Sequence, residues 1–228
     1  MKNSKHWLRA FGLSIMAALG LMAFTAAAAQ AGNGLFTVGG SAAAGQSITG
    51  EIKVLGELLV PARNLKIVCH KGQILSATLG HKVGLGNVKF EECLVLDLEG
   101  NPISGCEVTN GKTITTLAQV LAVLGKDGNL YALFEPDVGA TSLELTALFT
   151  NVTFEPGKGC VLPLTNPVRG SVSALVSTGL TSELPLLEFA PAHQTTTGDG
   201  LHYGTASSHI VGGATLRTVV GKLAIGVH

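Results

Sequence analysis

Aromatic side chains are scarce in this sequence. They make up 5% of its 228 residues, and the one tryptophan, Trp7, sits within the first ten. Glycan-cleaving clefts are usually lined by aromatic rings, so a pair of catalytic carboxylates would lack its usual platform here. Glu135 with Glu155, or Glu91 with Glu92, are the nominal pairs. Neighbouring residues on a strand face opposite sides, which sets Glu91 and Glu92 apart. Charge is scarce too, at 13%, and no run of lysines or arginines follows the first nine residues. Electrostatic binding to nucleic acid or an anionic lipid surface requires such a run, so neither partner is expected.

Several motifs are missing as well. There is no C-x-x-C, and the cysteine spacings match no zinc module. No G-x-S-x-G supplies a nucleophile elbow, and no H-E-x-x-H or Walker loop occurs. His193, His202 and His209 fall in the last quarter, with His70 and His81 near the first cysteine. His202 and His209 are an odd number of residues apart and would not share a face of one straight strand. The sequence therefore predicts no catalytic residue, no metal ligand and no cofactor site, and the chain is not expected to be an enzyme.

What is present begins with a leader. Lys2, Lys5 and Arg9 precede an apolar run from Phe11 to Phe24, which fades into alanines and ends Ala29-Gln30-Ala31. These are the parts of a secretory signal peptide over residues 1–31, with cleavage expected after Ala31. A retained anchor is the competing reading, since the run with its alanines approaches the ~20 residues of a membrane helix. After cleavage no membrane span is expected. The remaining chain carries twelve positive against fifteen negative side chains, a net of −3.

Four cysteines in an exported chain predict two disulfides. Cys93 and Cys106 flank the turn signal Glu99-Gly100-Asn101-Pro102, which favours Cys93–Cys106 with Cys69–Cys160. Cys69–Cys93 with Cys106–Cys160 stands close behind.

Residues 32–47 are small and glycine-rich and read as a flexible N-terminus with one short strand at Leu35–Val38. From residue 48 onward short apolar runs alternate with turn residues. Ile48–Leu55, Leu65–Cys69, Ile74–Leu79 and Val88–Leu96 have strand length and β-branched content. Ile114–Leu124 fits a helical face or a strand face. The Asp127-Gly128 turn and the apolar return from Leu130 to Phe134 favour a hairpin. Pro185 marks 184–190 as a sheet edge or loop. His202–Ile210 and Thr215–Val227 read as two last strands around Gly212-Gly213. The expected fold is all-β, a sandwich of short antiparallel strands with a β-barrel as the alternative, over residues 48–228 and divisible into two packed halves. An outer-membrane barrel is disfavoured by the lack of aromatic girdles and of a terminal aromatic residue.

The order of Cys69, Val88-Lys89-Phe90-Glu91-Glu92-Cys93, Cys106, Ile114-Thr115-Thr116 and Cys160 resembles a group of uncharacterised exported actinobacterial proteins built on a four-cysteine, V-x-F-x-x-C β framework. The resemblance covers roughly residues 65–175 and implies a framework without implying an activity. Low charge and apolar strands suit a non-catalytic structural or self-associating protein at the cell surface, in the envelope or periplasm, or outside the cell. Its partners would be itself or envelope components. The alternative is a carrier for an apolar small molecule or glycan; a carboxylate- or metal-dependent hydrolase ranks third.

Overall fold

The computed structural model describes residues 34–38, 41–136, 148–176, 186–193, 200–218 and 223–227. The expected leader lies outside the described residues. In chain order the strands are β1 (Gly34–Val38), β2 (Ser41–Ala42), β3 (Ala44–Val60), β4 (Leu65–Gly80), β5 (Val83–Leu96), β6 (Ile114–Leu124) and β7 (Leu130–Pro136). They continue as β8 (Leu148–Thr153), β9 (Thr165–Gly170), β10 (Val172–Val176), β11 (Leu186–Phe189), β12 (Leu201–Tyr203), β13 (Ala206–Thr218) and β14 (Leu223–Val227).

Eight of these strands close into an antiparallel barrel. The sheet runs β11-β10-β7-β6-β5-β4-β3-β13, and β11 pairs with β13 as well as β10. Closure makes the architecture the barrel alternative and not the sandwich. It also corrects the expectation for 184–190: Leu186–Phe189 has partners on both sides and is no edge, while Pro185 lies outside the described residues.

The sheet does not stop at β13. β12, β9 and β8 continue from it in that order and form a flap over one end of the barrel, with β8 against β6. At the other end β1 pairs with β14 and β2, and Phe36 on β1 is buried among barrel residues. The glycine-rich segment expected to be flexible thus supplies two strands and the start of β3.

The long barrel strands merge runs that the sequence reading separated. β4 carries Leu65–Cys69 and Ile74–Leu79 as one strand through His70-Lys71-Gly72-Gln73. Its inward parity changes on the way: Ile67 and Cys69 face one core, and Ile74 faces the lumen. β5 changes in step, from Val88 and Phe90 to Cys93 and Val95, so the register stays aligned from Cys69↔Cys93 to Ile74↔Val88. Glu92 absorbs the switch with a left-handed φ of 55°. β13 likewise runs unbroken through Gly212-Gly213, where a bulge shifts its register on β3 and Gly212 takes φ 148°. Ile210 and Thr215, expected on separate strands, therefore lie on one, and the expected His202–Ile210 strand is instead divided between β12 and β13.

The hairpin reading of Ile114–Leu124 holds. β6 pairs with β7 from Ala118↔Pro136 to Leu124↔Leu130, and Gly128 supplies the positive φ. Thr116, Ala118, Val120 and Ala122 point inward, which a helix could not do over that span.

Both disulfides form, with the second-ranked pairing. Cys69 and Cys93 stand directly opposite each other on β4 and β5, 4.0 Å apart at Cα. Cys106 joins Cys160. The Glu99–Pro102 turn does form, with Ile103 N donating to Val95 O, but a further turn at Ile103–Cys106 carries Cys106 toward the loop after β8. Gly105 is required there: at φ 73°, a Cβ would overlap the Lys158 carbonyl oxygen.

Candidate functional site

Among the described residues two hydrophobic cores occupy the two ends of the molecule, and a third, smaller cluster gathers Val123, Tyr131 and Leu133. Under the flap lie Leu65, Ile67, Val95, Phe154, Leu201, Tyr203 and three of the four cysteines. Toward β1 lie Phe36, Leu79, Leu187 and the small residues Ala43, Ala122, Ala132 and Ala174. Eight strands make a lumen just wide enough to be filled by side chains or to hold one small ligand. Here side chains fill its two ends, and the cores do not meet.

Between them is a cavity of about 180 Å³. Its wall draws on both cores: Ile67, Cys69, Val152 and Leu201 on one side, Leu187, Phe134, Phe189 and Ala214 on the other. The space exists because Gly56, Ala118, Gly212, Gly213 and Ala214 present little or no side chain where the strands pass it. The Phe134 and Phe189 rings pack against each other at 5.6 Å between centroids. Thr116 on β6 donates its hydroxyl to the Phe149 carbonyl at 2.9 Å and holds β8 against the barrel.

The wall is almost wholly apolar. Glu57 is the one ionisable residue on it among those described, and of the two threonines Thr116 donates its hydroxyl to the Phe149 carbonyl and Thr150 donates its own to Asn151 O at 3.5 Å. Emptying a core by that volume would cost about 4 kcal/mol, a large share of the roughly 5–15 kcal/mol that holds a domain folded.

The polar groups singled out from the sequence lie elsewhere. Glu91 pairs with Lys89 and Glu92 with Lys71. Both carboxylates reach lysines on the outer face, because the left-handed Glu92 breaks the strand alternation that would have separated them. Glu135 accepts from Gln119 at 2.9 Å, and Glu155 follows β8, its N–H donating to Glu107 O. None of these four lines the cavity. His70 and His81 are exposed, His193 packs edge-on to Tyr131, and His202 and His209 sit on β12 and β13. Among the described residues no three His, Cys, Asp or Glu side chains gather as metal ligands.

Two buried hydroxyls, those of Tyr203 and Ser208, have no hydrogen-bond partner, and neither residue lines the cavity. Burial pushes the Tyr203 phenol well above its ordinary range, against the opposing pull of the Arg63 guanidinium, 5.8 Å from its ring centroid. The cavity itself had no signature in the sequence beyond scattered glycines and alanines. Only the register of the closed sheet brings them together.

No protein-family model matches the chain, and no curated protein or solved structure is detectably similar to it.

Proposed function

We propose that this is an exported, non-catalytic binding protein that carries an apolar small molecule inside its barrel. The observation that carries the reading is the apolar cavity between the two cores, in a lumen that close packing would ordinarily fill. Export is supported by the leader-like N-terminus and by two disulfides, which persist in oxidising compartments. No helix among the described residues is long and apolar enough to cross a membrane. The lumen is apolar, whereas membrane-spanning barrels carry a polar one.

A second reading, self-association, rests on the outer face. Val83 and Leu85 on β5 and Leu117 on β6 are each at least 36% exposed on adjacent strands, beside Leu121 opposite Val83. Native mass spectrometry of the protein recovered from its host's outer fraction separates the two. A monomer with a reproducible added mass supports the carrier. An ordered oligomer series without added mass overturns it in favour of assembly through that face.

A further inference from the structure

Resting on the carrier reading, we infer that the cavity selects a neutral, hydrocarbon-like ligand of about one ring in size and rejects fatty-acid-like amphiphiles. Size sets the first limit. Drug-sized ligands occupy pockets of roughly 300–1,000 Å³, whereas a dry apolar cavity of about 150 Å³ takes a single benzene. At about 180 Å³, this cavity has room for one substituted ring or a short branched chain, and not for a sterol or a long acyl tail.

Polarity sets the second limit. A carboxylate or ammonium head carried into an apolar site must be paired there or it neutralises. The wall offers no cation among the described residues to pair with such a head. Thr116 donates its hydroxyl to Phe149, Thr150 donates its own to Asn151, and the unpartnered hydroxyls of Tyr203 and Ser208 are off the wall. Discrimination therefore comes from shape. Phe90, Phe134, Phe149 and Phe189 offer ring faces and edges, and Ala118 and Gly56 leave the volume open. Ala118 is the residue that sets ligand size: it is buried, points into the cavity from the middle of β6, and any longer side chain there takes the ligand's place.

The test is a thermal-shift titration of the oxidised exported chain with toluene, octanoate and cholesterol, repeated on Ala118→Leu and Ala118→Phe. Toluene is expected to raise Tm in a saturable way, octanoate and cholesterol to leave it unchanged, and either variant to weaken the toluene response at least tenfold. A response to octanoate or cholesterol equal to that for toluene overturns the ligand class and leaves the carrier reading standing. No response to any of the three overturns both. A toluene response that survives in Ala118→Leu places the ligand elsewhere and overturns the assignment of this cavity. Ala118→Leu adds less volume than Ala118→Phe, so it keeps the comparison readable if the larger variant fails to fold.

Discussion

The two ends of the barrel solve the same packing problem with opposite materials. The flap end uses large side chains, and each cystine lies within it or against it. The other end uses alanines, with Phe36, Ile48, Leu79 and Leu187 as its bulk. At the flap end the sheet leaves the barrel at β12, β9 and β8, so the layers stand apart and wide side chains are needed between them. Where the sheet is closed, inward side chains from eight strands converge on one axis and small ones must suffice. The cavity is the place where neither solution reaches. The flap end should therefore depend on crosslinks, and the alanine end on the absence of bulk.

The crosslinks offer the largest expected effect. Cys106–Cys160 closes a loop of 54 residues and Cys69–Cys93 one of 24. Chain-entropy reasoning gives about 4 and about 3.5 kcal/mol respectively. Replacing Cys106 and Cys160 by alanine should also free the flap, because that bridge fastens the loop after β8 beside the Val108–Phe154 bridge. Hydrogen exchange should then show β8 and β9 opening before the barrel strands. Equal protection in flap and barrel after the bridge is lost would abolish the distinction between the two ends.

The next effect sharpens the comparison by making one substitution at two alanines. Ala132→Leu inserts three carbons into the packed alanine core and should cost about 1–3 kcal/mol. Ala118→Leu, at the Ala118↔Pro136 end of the same hairpin ladder, meets the cavity instead and should be neutral or stabilising in urea unfolding. If both variants lose stability equally, the cavity is not open space available to a side chain.

That pair of alanines also marks how far sequence reading could go. Strand content, the β6–β7 hairpin and the Asp127-Gly128 turn were legible because each is local: alternation and a positive φ are written within a few residues. The second-ranked disulfide pairing was correct and the first was not, since Cys69 opposite Cys93 is a fact of β4–β5 register and no turn signal reports it. Barrel closure was beyond reach for the same reason. It depends on β11 meeting β13 across the sheet, through Leu186↔Thr215 to Phe189↔Gly212. The cavity wall combines Gly56, Ala118 and Gly213 from three distant strands, each unremarkable in its own segment.

The smallest effects belong to the two tyrosines, Tyr203 under the flap and Tyr131 in a separate cluster with Val123 and Leu133. Tyr131 donates its hydroxyl to Asp127 at 2.6 Å, and Asn129 donates to the same carboxylate. These bonds, that of Tyr131 foremost, hold the Asp127 carboxyl below its ordinary 3.8. A depressed folded pKa contributes stability that is complete above the ordinary value and is lost as pH falls through the lower one. Tyr131→Phe should therefore lower Tm slightly at pH 7 and flatten its decline below about pH 4. Tyr203, under the flap, reverses every sign. Its hydroxyl has no partner, so Tyr203→Phe should leave Tm at pH 7 unchanged or raise it. Its folded pKa is raised by burial, so its contribution is whole below the ordinary 10.0 and is lost as pH climbs above it. Wild-type Tm should fall above pH 10 in part through this group, and the variant's should fall less. Identical pH–Tm profiles for the two variants would mean that the flap core and the Val123–Tyr131–Leu133 cluster treat a phenol alike, and the flap core would have no polar environment of its own.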